Sequence, residues 1–134
     1  MAFEDSSPEI HTVTVNGTAE IDTVSYVLGN ASGSFGPGNY LSIPDDSYWN
    51  IFNNDWTIDF WLRIPDISLP EYTIFEQNVS ATTFMKCVYS ESTHEIIFNV
   101  QIDSIEKIMM RAPATLTEDT WYHIALTASK WEAV

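Results

Sequence analysis

The sequence predicts an all-β fold in which antiparallel strands pack as a two-sheet sandwich. Short apolar runs recur at roughly ten-residue spacing between turn residues, which is typical of sandwiches and barrels. No stretch keeps a helical period, and no connection leaves room for a crossover helix between parallel strands. Residues 56–63, W-T-I-D-F-W-L-R, alternate between an apolar face and a mixed face, as a half-buried strand does.

The strands can be placed one after another along the chain. Residues 11–15 and 19–23 flank Asn16 and Gly17, a strong two-residue turn signal, and are predicted to pair as a hairpin. Residues 45–50 predict a single helical turn. Further strands are predicted at residues 40–43, 57–64, 72–76, 83–89, 95–100, 107–111 and 121–127.

Charge excludes several classes of partner. The chain has 134 residues, a formal net charge of −14 and only five Lys and Arg residues. Nucleic-acid affinity comes largely from cations that displace counterions, so we expect no DNA or RNA partner. Anionic membranes are disfavoured for the same reason, and no apolar run approaches the roughly 20 residues that span a bilayer. The first residues lack signal-peptide features, so we expect an extracellular protein exported by other means or a virion component freed by lysis.

The residues most often used in catalysis and metal binding form no recognisable motif. Cys87 is the single cysteine and is predicted to be a small buried apolar residue. His11, His94 and His123 are too scattered to suggest a metal site, and no C-x-x-C, G-x-S-x-G or P-loop pattern occurs. We expect His123 to be a hydrogen-bonded structural imidazole that shares a strand face with Trp121.

Five motifs, in their order and spacing, resemble one known family. They are F-E-D-S-S, H-T-V-T-V-N-G-T-A-E-I-D-T, G-S-F-G-P-G-N-Y-L-S-I-P-D, D-W-T-I-D-F-W-L-R and T-W-Y-H-I-A-L-T. Together they are similar to the laminin-G-like jelly roll of the concanavalin A-like lectin and glucanase superfamily. The resemblance implies one laminin-G-like jelly-roll domain over residues 1–134.

Family members continue past the W-Y-H-I-A-L-T strand with further closing strands. The resemblance therefore implies a domain that is incomplete at its C-terminus. The favoured explanation is a fragment of a longer polypeptide. The alternatives are a partner chain that supplies the missing strands and a reduced variant of the domain.

The superfamily includes glucanases, whose catalytic strand carries three acids. Their chemistry needs a nucleophile and an acid/base on one face, with a further carboxylate between them. Glu20 and Asp22 share a face, but the third place holds Val24 or Ser25, which cannot transfer a proton in that role. We therefore expect no enzymatic activity, and glucanase remains the least favoured reading.

Calcium is the one cofactor that the resemblance implies. Family members often hold it at the rim of the sandwich through Asp side chains and loop carbonyls, which are hard oxygen ligands. Asp45 and Asp46, or Asp5 with neighbouring carbonyls, are the acids in suitable places. No ligand set is assigned.

Sugar recognition needs an aromatic platform bordered by hydroxyl-binding side chains. One candidate is the predicted loop of residues 45–50, called the rim loop below. A second candidate is the mixed strand face of Asp59, Trp61 and Arg63, although Trp56 and Trp61 are expected mainly to pack the core. The preferred candidate ligand-binding residues lie on the predicted loop and are Asp45, Asp46, Tyr48, Trp49 and Asn50.

The predicted function is a non-catalytic, carbohydrate-recognising binding or adhesion module within a larger extracellular or phage virion protein. The alternative is a structural virion protein, a capsid decoration or tail component, that binds other protein subunits. Its partner would then be another copy of the chain, a different subunit or a strand-completing chain.

Overall fold

The computed structural model describes residues 2–49 and 54–129. These residues form ten β-strands and one short 3-10 helix, with no α-helix, so the predicted all-β class is confirmed. The described ranges hold no helix long and apolar enough to cross a bilayer. The strands are β1 Thr14–Asn16, β2 Glu20–Asp22, β3 Ser32–Ser34, β4 Tyr40–Ser42, β5 Trp56–Leu62, β6 Glu71–Ser80, β7 Thr83–Ser90, β8 Glu95–Ile102, β9 Ile105–Pro113 and β10 Tyr122–Ala128.

The chain divides into two compact units. Unit 1 consists of Met1–Trp61 and His123–Val134, and unit 2 consists of Leu62–Tyr122. The sequence prediction of a single domain over residues 1–134, incomplete at its C-terminus, stays a prediction.

The first strands of unit 1 pair differently from the prediction. Strand β1 pairs antiparallel with β4, and β2 pairs antiparallel with β3, so the predicted β1–β2 hairpin is wrong. A turn does occur at Gly17, where φ is +74°. It is held by Asn39, whose Oδ1 accepts from the Thr18 backbone N–H at 2.9 Å and whose Nδ2 donates to Thr18 Oγ1 at 3.0 Å. The turn is therefore fastened to a distant loop, and each flanking strand finds a partner farther along the chain.

The remaining predictions for unit 1 agree better with the structure. The helical turn expected at residues 45–50 is observed as a 3-10 helix over Ser47–Trp49. Strands β5 and β10 pair with each other, and both alternate between half-buried and exposed residues along their length. This alternation is the period of two that their sequences predict.

Unit 2 contains one antiparallel sheet in the order β6-β7-β8-β9. All four strands were predicted, and each extends beyond its predicted range. One face of the sheet is buried and carries Cys87, Tyr89, Ile96, Phe98 and Val100. The predicted burial of Cys87 is confirmed, and removal from solvent raises the pKa of its thiol to about 11.

Candidate functional site

An exposed tryptophan with two polar neighbours lies on the β5–β10 pair of unit 1. Trp61 is 41% exposed, and its ring centroid lies 5.2 Å from that of His123, with the two planes tilted by 33°. His123 Nε2 lies 3.0 Å from Asp59 Oδ2 and donates to this carboxylate. We call Asp59, Trp61 and His123 the Trp61 platform.

Strand geometry explains how the platform forms. Asp59 and Trp61 are two residues apart on β5 and therefore point to the same side of the strand. His123 belongs to the neighbouring strand β10 and is likewise at an exposed position of the alternation. The prediction of a hydrogen-bonded His123 is confirmed, whereas the expectation that Trp61 mainly packs the core is wrong, because the alternation places its indole on the open side.

The platform combines chemical groups suited to a polyhydroxylated ligand. An indole offers a flat apolar surface, and a carboxylate and an imidazole supply acceptors and donors at its edge. The Asp59 side chain is 61% exposed, so it remains accessible while it accepts from His123. Arg63, the third predicted member of this face, belongs to unit 2 and donates to Asp119 Oδ1 at 2.6 Å.

Several residues of the predicted rim loop in unit 1 make hydrogen bonds or ring contacts within that unit. Trp49 packs its ring against His11 at a centroid distance of 5.5 Å and donates through Nε1 to the Pro44 carbonyl at 3.2 Å. Tyr48 is 65% exposed and is the open aromatic ring of the loop. Asp46 accepts from the Tyr48 backbone N–H at 3.1 Å, and this bond lowers the pKa of the carboxyl below its usual value.

The other two predicted rim-loop residues, Asp45 and Asn50, give no further information on a binding site. Asp45 lies beside Asp46 and takes part in an interaction of its own. Asn50 lies outside the described residues. The prediction of a sugar-binding rim loop therefore stays a prediction, with Tyr48 as its accessible ring.

Asp5 accepts hydrogen bonds from Ser7 and His11 through both of its carboxylate oxygens. Its Oδ1 accepts from the Ser7 backbone N–H at 2.8 Å, and its Oδ2 accepts from the backbone N–H and Nδ1 of His11 at 2.7 and 2.8 Å. These bonds, led by the one from Ser7, hold the pKa of the carboxyl far below its usual range. Over residues 2–49 and 54–129, no three His, Cys, Asp or Glu side chains gather as a metal site, so no ligand set supports the calcium prediction.

The acids of the glucanase-like motif have structural positions. Asp22 Oδ1 accepts from the backbone N–H groups of Val24 and Ser25 at 2.7 and 3.2 Å, which closes a turn after β2. Glu20 lies at the exposed start of the same strand, opposite Ser34 of β3. A carboxylate that caps a turn is not positioned as a nucleophile or acid/base.

Unit 2 also has a groove that no sequence prediction includes. It has a volume of about 250 Å³ and lies on the opposite face of the four-stranded sheet from Phe98, with Lys86, Asn99 and Arg111 among its lining residues. Alternation along β8 places Asn99 opposite the buried face. That signal indicates the face of a residue, but it does not indicate a groove.

A model of a known protein family matches the chain. The family model for the concanavalin A-like lectin/glucanases superfamily, of the laminin-G type, matches residues 35–133, which is most of the chain. No curated protein and no solved structure matches significantly. Laminin-G-like domains are generally non-catalytic, although the superfamily includes glucanases. The chain therefore belongs to the concanavalin A-like lectin/glucanase superfamily as a laminin-G-like domain, a lectin-like kind of binding module.

Proposed function

We propose that this protein is a non-catalytic carbohydrate-binding module and that the Trp61 platform is its binding surface. The observation that carries the proposal is the exposed Trp61 indole beside the hydrogen-bonded Asp59 and His123 pair. A pyranose presents an apolar C–H face and a rim of hydroxyls. The indole would stack on that face, while the carboxylate and imidazole would bind the hydroxyls.

The three platform residues are exposed, which suits modest affinity for one sugar ring. Aromatic contacts contribute about 0.5–1.5 kcal/mol beyond the burial of area. Several modules carried by one assembly would raise the overall avidity without any new contact. A larger extracellular or phage virion protein that carries several such modules would provide this avidity.

The test is binding by the full chain, first to a glycan array and then by calorimetry to the best glycan. Substitution Trp61→Ala should raise the Kd roughly five- to tenfold, because the stacking surface is lost. Tyr48→Ala is the matched control, since it removes an exposed aromatic ring from the rim loop. Circular dichroism should show both variants folded.

The outcomes separate the two candidate surfaces. If Tyr48→Ala weakens binding and Trp61→Ala does not, the rim loop is the site and the Trp61 platform is rejected. If no glycan on the array binds, carbohydrate recognition is rejected altogether.

A second candidate function, binding of other protein subunits in a virion, is favoured by the edges of the unit 2 sheet. Strands β6 and β9 are the outer strands of this sheet. Val79 on β6 and Ile105 on β9 are 78% and 58% exposed. Outer strands with exposed apolar side chains are templates for pairing with another chain. Light scattering that shows a monomer at every concentration would count against self-assembly.

A further inference from the structure

The unit 2 groove is formed by side chains in register across the sheet. Lys86 of β7 lies directly opposite Asn99 of β8, and Asn99 lies opposite Met109 of β9. Val88 and Phe84, on either side of Lys86, supply apolar walls. The groove therefore has a polar centre within a largely apolar surround.

The two cations of the groove, Lys86 and Arg111, each form an ion pair with a glutamate, and the two glutamates lie at the same end of the sheet. Lys86 Nζ donates to Glu71 Oε1 at 2.7 Å, and Arg111 donates to Glu95 Oε2 at 2.9 Å. Glu71 and Glu95 both lie opposite Ser90, so they mark one row across the strands. Each ion pair is partly exposed. One carboxylate contact leaves further N–H donors on the ammonium and the guanidinium.

This arrangement leaves Asn99 Oδ1 without a donor. The atom is buried and accepts no hydrogen bond from any residue that the structure describes. Lys86, its neighbour on one side, reaches Glu71 instead, and Met109, its neighbour on the other side, has no side-chain donor. Buried polar atoms are nearly always hydrogen-bonded, so this acceptor favours a ligand that brings an O–H or N–H group.

We propose that the groove binds a single acidic sugar ring of the uronic-acid type. A ring hydroxyl would donate to Asn99 Oδ1, the apolar ring face would lie on Val88 and Met109, and the carboxylate would meet Lys86 and Arg111. The volume of about 250 Å³ is smaller than a drug-sized pocket and suits one small ring.

The two cations of the groove favour an acidic sugar over a neutral one. The chain carries −14 and has five Lys and Arg residues, of which two line this groove, Lys86 paired with Glu71 and Arg111 paired with Glu95. An anion is repelled by most of this protein, whereas this groove holds two cations, on β7 and β9, that keep N–H donors beyond their ion pairs. The choice of a sugar rests on the proposed function, whereas the site and its charge selectivity do not.

The experiment is a pair of NMR titrations of the full chain with methyl β-glucuronide and methyl β-glucoside, which differ only at C6, a carboxylate in the first and a hydroxymethyl group in the second. The glucuronide should shift the amide signals of Lys86, Asn99 and Met109 and bind roughly tenfold more tightly than the glucoside. Its affinity should fall as salt is raised, because the contact is ionic. Because these titrations use the wild-type protein, their result does not depend on whether any variant folds.

Variants then test the individual contacts. Asn99→Ala should weaken glucuronide binding roughly tenfold, and Arg111→Gln should reduce it toward the level of the glucoside, because Lys86 remains. Gln101→Ala is the matched control, since Gln101 is on the same face of β8 and does not line the groove. It should leave the affinity unchanged.

Three results would overturn the inference. The first is equal binding of the two glycosides, and the second is a set of signal shifts confined to residues outside the groove. The third is concentration-dependent self-association that shifts the groove signals, which would show that a second copy of the chain covers this face. Trp61→Ala separates the two proposals. If it weakens glycan binding roughly five- to tenfold while Asn99→Ala has no effect, the proposed function stands and the groove inference fails. The reverse pattern sustains the groove and rejects the Trp61 platform.

Discussion

Removal of the Phe98 ring should be among the most damaging single changes to the stability of this protein. Phe98 is 0% exposed, and its ring lies 6.2 Å from that of Phe75. In register it lies between Cys87 and Met110 on the two neighbouring strands. Burial of such a side chain contributes about 1.5–3 kcal/mol, and the aromatic pair adds about 0.5–1.5 kcal/mol. With the cavity left behind, Phe98→Ala should cost about 3–5 kcal/mol of unfolding free energy.

Urea denaturation followed by tryptophan fluorescence measures this loss directly. Phe35→Ala is the matched control, because it deletes the same ring from a position that is 52% exposed and should cost less than about 1.5 kcal/mol. A loss of about 3–5 kcal/mol is a large share of the roughly 5–15 kcal/mol that stabilises a typical domain. Equal losses for the two variants would show that the face carrying Phe98 is not the core of the unit 2 sheet.

Three further predictions concern buried or hydrogen-bonded groups. The Cys87 thiol, whose pKa burial raises to about 11, should react with iodoacetamide at pH 8 at least roughly tenfold more slowly in the folded than in the urea-unfolded protein, and fast labelling of the native state would contradict its burial. Tyr89→Phe removes the hydrogen bond donated to Glu91 Oε2 at 2.5 Å and should cost about 1.5–3 kcal/mol in urea denaturation, so a change below about 0.5 kcal/mol would speak against that bond. The pKa of Asp5 is lowered on folding, so its contribution to stability is present above the unfolded value of 3.8 and is lost as the pH falls through the folded value. The Tm advantage of the wild type over Asp5→Asn should therefore shrink below about pH 4, and an advantage that does not change with pH would refute the role given to this carboxylate.

The strands from β5 onward could be predicted because their side chains follow a clear period of two. The apolar residues of β7 and β8 leave little alternative to a buried strand. The β2–β3 pair could not be found in this way, since Ser32, Gly33 and Ser34 carry no apolar pattern and pair through their backbone. The false hairpin at Gly17 arose because a correct local turn signal says nothing about which strands pair.

The candidate sites show the same division between local and distant information. Alternation alone places Asp59 and Trp61 on one face of β5. It does not reveal that His123, 64 positions later, lies beside them, because that contact depends on the pairing of β5 with β10. Likewise the face of Asn99 follows from the sequence. The lack of a donor to its Oδ1 depends on the direction in which Lys86 and Arg111 extend.

Under the proposed function, the Trp61 platform holds a saccharide without transforming it. The most direct measurement follows the indole N–H signal of Trp61 during titration with the best glycan from the array, and then the chain length of that glycan after prolonged incubation. We predict a saturable shift of this signal and a glycan of unchanged length. A shortened glycan, or saturable binding with no change in the Trp61 indole signal, would refute the proposed function.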